Sequence, residues 1–211
     1  MPASDLIKKT ATEMVSLLKS GEVTPLDCLD ALEARIPEVE PAVNALPTLC
    51  FERAREAAKA LMAKPVAERG LLAGLPVAIK DLLNVKGVRS TQGSPIYADL
   101  IPDASDLTVT NLEDAGGVIY AKSNTPEFGA GANTFNEVFG PTLNPWDTSK
   151  SCAGSSGGSA VALATGTAWL ASGSDLGGSL RNPASFCGIV GFRPSPGRVA
   201  KGPGALPFAN M

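Results

Sequence analysis

Amphipathic stretches come first along this chain of 211 residues, and short apolar runs follow them. Apolar residues recur at helical spacing in three early stretches, over residues 4–20, 24–35 and 51–64. Thr24 and Asp27 form a capping-box pattern at the start of the second stretch, and Pro37 is expected to end that helix. The three stretches predict a helical layer over residues 1–70.

Buried strands are predicted from Gly74 onward. LPVAI, VIYAK and TAWLASGSD are apolar runs, and the first of them ends at Lys80. Helices are expected over residues 106–115 and over GGSAVALATG, with a further helix start at Thr125-Pro126. Strands that alternate with helices predict an α/β fold with a mixed β-sheet flanked by helices. Residues 71–211 form the α/β core portion of one domain.

Charge and composition limit the possible partners. Charged residues make up 18% of the chain, the net charge is −3 and the pI is about 5.1. Nothing in this balance favours nucleic acid, and it suits a neutral small-molecule substrate. The four cysteines include no C-x-x-C pair, so reduced thiols in a cytoplasmic protein are expected. The longest apolar run is shorter than the roughly 20 residues that span a bilayer, and no secretory leader is present, so we expect a soluble protein.

The chain contains no histidine. Histidine is the usual general base near neutral pH and the commonest metal ligand, so neither a Ser-His-Asp triad nor a histidine-based zinc site can be built from these residues. Any hydrolytic chemistry must therefore use a lysine or a carboxylate as its base, or a residue from outside this sequence. We expect no metal and no cofactor.

One Gly/Ser-rich segment, CAGSSGGSA at residues 152–160, contains the pattern G-x-S-x-G centred on Ser156. In an α/β-hydrolase this pattern would make Ser156 the nucleophile, but that fold needs a downstream histidine, and a turn-rich loop precedes the segment here instead of a strand. A flexible surface loop is the simpler alternative.

A second segment, GSDLGGSLR at residues 173–181, follows a predicted strand and places two glycines before Ser179. Glycines allow successive backbone N–H groups to converge on one point, as an oxyanion hole requires. Lys80 lies at the end of a predicted buried strand, where burial would lower the pKa of its amine and make the neutral base available. A lysine that extends to the surface is the alternative.

Taken together, the segments resemble the amidase signature family. GLPVAIKDLLNVKG, DLTVTNLEDAGGVIYAKSNTPEF, FGPTLNPWD, GSSGGSA and GSDLGGSLRNPASFCGIVGFRPSPGRV occur in that order, from about residue 74 to residue 199. The resemblance implies an amidase that cleaves a small-molecule amide through an acyl-enzyme, with a Ser–cis-Ser–Lys triad. Matched by motif, the base is Lys80, the bridging serine after a cis peptide bond is Ser155, and the nucleophile is Ser179.

The same resemblance implies further roles around the triad. The oxyanion hole falls on the backbone N–H groups of Leu176, Gly177, Gly178 and Ser179. The residues expected to support the site are Ser156, Asp175 and Arg181. The residues expected to line the acyl pocket are Gly129, Ala130 and Gly131.

This sequence departs from the family pattern in two ways. Cys152-Ala153 stands where the family has Pro-Gly or Gly-Gly, and family members continue well beyond residue 211. The final segment, KGPGALPFANM, has no regular period and predicts a loop, so an incomplete amidase is expected, one that needs a further polypeptide or self-association. The alternatives are the transamidating subunit of a tRNA-dependent amidotransferase and a catalytically inactive fragment or binding module.

Overall fold

A computed structural model describes residues 2–200 and Gly202. The α-helices of this part are α1 (Ala3–Leu6), α2 (Ala11–Ser20), α3 (Pro25–Val43), α4 (Phe51–Met62), α5 (Leu107–Asp114), α6 (Gly157–Ala164) and α7 (Arg181–Cys187). Its strands are β1 (Thr48–Leu49), β2 (Pro76–Lys80), β3 (Val118–Ser123), β4 (Phe135–Asn136), β5 (Gly140–Pro141) and β6 (Leu170–Ala171). Short 3-10 helices lie at Val66–Glu68, Pro95–Tyr97 and Glu127–Gly129. Apart from Gly202, the loop predicted after residue 200 lies outside the described residues.

The main sheet has the strand order β1-β3-β2-β6. Strand β2 runs parallel to both β3 and β6, whereas β1 pairs antiparallel with β3. Every residue of β2 and of β3 is buried, as expected for parallel strands covered on both faces. The predicted α/β fold with a mixed sheet and flanking helices is confirmed.

The first predicted helix is interrupted. Residues 4–20 were expected to form one helix, but α1 ends at Leu6 and α2 begins after Thr10. The Thr10 hydroxyl accepts a hydrogen bond from the Glu13 N–H at 3.3 Å, and the Thr10 N–H donates to the Glu13 carboxylate at 2.7 Å. This capping box starts a new helix inside the apolar pattern, so the prediction of one continuous helix is wrong.

The second helix continues further than predicted. The capping box of Thr24 and Asp27 is present, but α3 passes through Pro37 and ends only at Val43, so the predicted end is wrong. Proline removes one helical hydrogen bond, yet residues on both sides of it remain buried against the core. Burial of that apolar face outweighs the lost hydrogen bonds, because tertiary packing dominates the stability of helices in proteins.

Two apolar clusters cover the two faces of the sheet. The larger contains Ala78 of β2 and Tyr120 of β3, with the N-terminal helices and α6, and the smaller contains Val77, Ile79 and Ile119. A shift in register around Tyr120 pairs Ile79 with Lys122 and Lys80 with Ser123. Within the described residues, no helix is both long enough and apolar enough to cross a membrane.

Candidate active site

Lys80, the last residue of β2, is 1% exposed. Its Nζ lies 2.7 Å from the Ser155 Oγ, 3.0 Å from the Ser156 Oγ and 2.9 Å from the Ser174 Oγ. No carboxylate of the described residues lies within ion-pair distance of this amine. The Lys80 amine is therefore enclosed, and its hydrogen-bond partners among the described residues are three hydroxyl groups.

Burial of the Lys80 amine lowers its pKa from 10.5 to about 7, and the negative charge of Asp175 partly opposes this change. The cause is desolvation, which disfavours the ammonium form when no adjacent anion compensates. Near neutral pH a substantial share of Lys80 is therefore the neutral amine, which can accept a proton. An ordinary surface lysine would be almost fully charged at that pH.

The loop that carries Ser155 is packed tightly between neighbouring segments. The Gly154–Ser155 peptide bond is cis, as the resemblance implies. A Cβ on Gly154 would lie 2.9 Å from the backbone of Asn133, so a larger residue is excluded there. The Thr134 hydroxyl donates to the Ala153 carbonyl at 2.9 Å and accepts from the Gly157 N–H at 3.1 Å. These contacts hold Ser155, which is 2% exposed, against Lys80.

Asp175 organises the turn that carries Ser179. Its carboxylate accepts the backbone N–H groups of Gly178 at 2.7 Å and Leu180 at 3.1 Å. The Arg181 guanidinium donates to both carboxylate oxygens at 3.0 Å, and Arg193 lies 3.5 Å away. The hydrogen bonds from Arg181, followed by those from the backbone, hold the pKa of Asp175 well below its usual range. A charged Asp175 therefore closes the turn on which Ser179 lies.

Ser179 is half-buried beside this cluster. Its backbone carbonyl accepts the Ser156 N–H at 3.2 Å, which joins the turn that carries Ser179 to the Ser155 loop. Within the described residues, the Ser179 hydroxyl makes no hydrogen bond. The structure thus brings Lys80 and Ser155 into direct contact and places Ser179 on the adjoining turn, while proton transfer between the two serines stays a prediction.

The N–H groups predicted to form an oxyanion hole differ in their availability. The N–H of Gly178 is occupied by Asp175. Those of Leu176, Gly177 and Ser179 have no acceptor among the described residues, and the space beside the Gly177 Cα is open. Anion binding at these three groups remains a prediction. Gly178 would have to release Asp175 before it could take part.

The predicted acyl-pocket residues lie on an exposed segment. Gly129 ends a 3-10 helix and is half-buried, whereas Ala130 and Gly131 are exposed. A 3-10 turn at Glu127–Gly129 stands where a helix was predicted to start at Thr125-Pro126. The segment continues through Asn133, whose side chain accepts from the Ser151 hydroxyl at 2.6 Å, so it adjoins the Ser155 loop. The role of these residues in binding an acyl group remains a prediction.

Two serines contribute to the site that the sequence did not identify. Ser172 accepts the backbone N–H of Lys80 at 2.9 Å, and Ser174 accepts from its Nζ at the same distance. Both follow strand β6 in alternate positions, so they lie on one face of the extended segment. That alternation within TAWLASGSD was the available signal.

Arg193 was also missed. Its Nε donates to the Asp175 backbone carbonyl at 3.0 Å, so a second cation reinforces the same turn. The residue lies in the irregular segment after α7, where no local pattern connects it to Asp175.

We expect the substitution Asp175→Asn to lower the free energy of unfolding by about 1–3 kcal/mol and to reduce sharply the reactivity of Ser179. The amide can accept on one atom only, so the Gly178, Leu180 and Arg181 donors can no longer all be satisfied. The stabilising effect of Asp175 is present above its unfolded pKa of 3.8 and is lost as the pH falls through its lower folded value. Chemical denaturation at pH 7 and at pH 3 measures the free energy of unfolding, and covalent labelling of Ser179 measures its reactivity.

The matched control for this substitution is Asp147→Asn. Asp147 is exposed, and among the described residues its carboxylate accepts hydrogen bonds from Ser149 alone, within its own turn. This variant should unfold like the wild type and keep Ser179 reactive. Equal stability losses in the two variants would contradict the role assigned to Asp175.

The fold and the site together define an α/β protein with a buried lysine–serine cluster. The sequence profile of the amidase family matches residues 27–210. The chain belongs to the amidase signature family. This membership agrees with the resemblance found from the motifs around Lys80, Ser155 and Ser179.

Individual relatives support the same assignment. The chain is 44% identical to the A-type subunit of the glutamyl-tRNA(Gln) amidotransferase of Acidothermus cellulolyticus, over 94% of this chain and 40% of that protein. It is similar to the structure of 6-aminohexanoate cyclic dimer hydrolase complexed with substrate, with a TM-score of 0.85 and 34% identity over 93% of this chain and 40% of that one. It is also similar to a crystal structure of amidase, with a TM-score of 0.83 and 39% identity over 92% of this chain and 44% of that one. The chain thus spans about 40% of the length of the curated relatives that it matches.

Proposed function

We propose that this chain carries the catalytic triad of an amidase that hydrolyses a small carboxamide to a carboxylate and ammonia or an amine. The observation that carries the proposal is the Lys80 amine, which is buried, has no carboxylate partner among the residues that the structure describes, and lies 2.7 Å from the Ser155 hydroxyl. Such an amine is suited to accept a proton and unsuited to a purely structural ion pair.

In the proposed reaction, the Ser179 hydroxyl loses its proton to Ser155 as its oxygen attacks the substrate carbonyl. Ser155 passes its own proton to the neutral Lys80 amine. Collapse of the tetrahedral intermediate breaks the C–N bond, and the proton returns through Ser155 to the departing amine. Water then attacks the Ser179 ester by the same proton route and releases the carboxylate.

The main experiment measures ammonia or amine release from aliphatic, aryl and peptide amides. The Ser179→Ala variant is the control for contaminating activity. Turnover that disappears in this variant supports the proposal. Turnover that is equal in both proteins, or absent even when the rest of the polypeptide is supplied, rejects it.

We further propose that turnover requires polypeptide beyond these 211 residues. The chain spans about 40% of the length of its curated relatives. Large apolar side chains near the turn that carries Ser179 are exposed: Leu176 at 69%, Phe186 at 56%, Val190 at 91% and Phe192 at 77%. Water at such a site raises the local dielectric, which weakens an oxyanion hole.

The test compares the chain alone, the chain at concentrations where it self-associates, and the chain with a polypeptide matching the rest of its relatives. Turnover should rise with the added polypeptide, or with concentration if a second copy supplies the cover. Full activity of a dilute monomer would contradict this requirement and leave the triad unaffected.

A second candidate is the transamidating subunit of a tRNA-dependent amidotransferase. The 44% identity to the A-type subunit of a glutamyl-tRNA(Gln) amidotransferase favours it. Both candidates use the same triad, and they differ in the acceptor of the released ammonia. Hydrolysis of free amides without partner subunits supports the amidase. Glutamine hydrolysis that appears only with the other amidotransferase subunits supports the alternative.

A further inference from the structure

A second buried lysine lies close to the triad and is not part of it. The Nζ of Lys122 is 2.5 Å from the Asp81 Oδ1 and 2.8 Å from the Ser90 Oγ. Lys122 is fully buried and Asp81 is 1% exposed. A buried ion pair is costly to assemble, so its position beside the catalytic lysine calls for an explanation.

The two buried lysines lie on opposite faces of the sheet. Strand β2 ends with Ile79 and Lys80, and Asp81 follows, so Ile79 and Asp81 share a face while Lys80 lies on the other. The register pairs Ile79 with Lys122, which places Lys122 on the face of Asp81. The carboxylate adjacent to Lys80 in the sequence is thus turned away from it and bound to another cation.

Asp81 is fixed in this orientation by a second set of bonds. Thr91 donates to its Oδ2 through the backbone N–H at 3.0 Å and through the hydroxyl at 2.6 Å. The backbone N–H of Asp81 donates to the Ser123 carbonyl at 3.0 Å. Asp81 therefore has two hydrogen-bond donors from Thr91 besides the Lys122 amine.

Resting on the proposed role of Lys80 as the base, we propose that Asp81 and Lys122 are positioning residues whose buried ion pair cancels the charge of Asp81 and keeps its carboxylate away from Lys80. The Lys80 amine is then left with hydroxyl partners and without a near anion that would hold it protonated. Asp81 follows Lys80 directly in the sequence, but its carboxylate lies on the opposite face of the sheet, where it binds Lys122.

Within the described residues, different charged groups act on the two lysines. On the Lys80 face the acting charge is Asp175, which is neutralised in turn by Arg181 and Arg193. On the other face, burial lowers the pKa of Lys122, and three groups oppose this effect: Asp81 first, then Cys50 and Asp106. Removal of Lys122 leaves Asp81 as the uncompensated anion nearest to Lys80 in the sequence.

The test follows the protonation of Lys80 directly, by NMR titration of the chain labelled with ¹⁵N at the lysine side-chain nitrogens. Lys80→Arg assigns the resonance. Lys122→Met should raise the pKa of Lys80 by about one unit, because a buried carboxylate is no longer balanced. Lys122→Met combined with Asp81→Asn should restore the wild-type value, because the unbalanced charge is gone. Lys150→Met, at an exposed lysine, should have no effect.

If the ion pair had a purely structural role, the Lys80 pKa of the double variant would be no closer to the wild-type value than that of Lys122→Met. An unchanged Lys80 pKa in folded Lys122→Met would overturn the proposal. If Lys122→Met does not fold, Asp81→Asn supplies the test. This variant leaves the Lys122 cation unbalanced, so the Lys80 pKa should fall. An increase in the Lys80 pKa in this variant would overturn the proposal. The titration needs no turnover, so its result is independent of whether the chain proves to be an amidase.

Discussion

Replacement of Ser179 by alanine is expected to abolish covalent labelling by an alkyl fluorophosphonate and to lower amide turnover by about 10³-fold or more. The hydroxyl is the proposed nucleophile, so no ester can form without it. The fold should survive, because the bond that joins this turn to the Ser155 loop uses the backbone carbonyl of residue 179. Intact-protein mass spectrometry measures the adduct, and circular dichroism checks the fold.

Three further variants distinguish the roles of the serines in the labelling reaction. Ser155→Ala should lose most labelling while Ser179 remains present, since the proton path to Lys80 is cut. Ser16→Ala removes a serine on the exposed side of α2 and should be labelled like the wild type. If Ser179→Ala is still labelled and Ser156→Ala is not, then Ser156 is the nucleophile, and the α/β-hydrolase alternative replaces the triad.

Lys80→Arg is expected to reduce turnover by about 10³-fold or more, because a guanidinium does not give up its proton in the working pH range. In the wild type the rate should rise with pH through a midpoint near 7, the pKa to which burial lowers Lys80. Below that pH the amine carries a proton and cannot accept another; above it the neutral base predominates. A pH–rate profile of kcat/KM measures the midpoint.

Lys150→Arg is the matched control, since it makes the same change at an exposed position and should leave the profile unaltered. Lys80→Met supplies a second comparison that is neutral in charge and still lacks a base. An active Lys80→Arg enzyme, or a wild-type profile that is flat between pH 6 and 9, would contradict the assignment of Lys80 as the base.

The parts of the fold that the sequence predicted best are those where burial decides the conformation. LPVAI and VIYAK became the central strands β2 and β3 because continuous apolar runs suit strands covered on both faces. The position of Lys80 at the end of such a run correctly indicated a buried amine. The lack of histidine excluded a Ser-His-Asp triad built from these 211 residues alone, without any structural information.

Features set by long-range contacts were not predictable in this way. The pattern around Pro37 indicates a helix end, and only packing against the core shows why α3 continues. The hydrogen bond from the Gly178 N–H to Asp175 depends on the conformation of the turn. The sequence does not determine that conformation, because glycine can adopt many backbone conformations. The approach of Ser174 to Lys80 depends on the pairing of β6 with β2, two segments that lie far apart in the chain.

This separation along the chain has a consequence for folding. Lys80 and Ser155 are 75 positions apart, and Lys80 and Ser174 are 94 apart, so the cluster forms only after long loops have closed. Loop closure costs entropy before any contact repays it, and folds rich in such contacts form slowly. The desolvated amine should therefore appear late in refolding, together with the β2–β6 pairing. The appearance of the lowered Lys80 pKa during refolding would mark the time at which the sheet is complete. The circular dichroism signal of the helices would report the earlier formation of α2, α3 and α4.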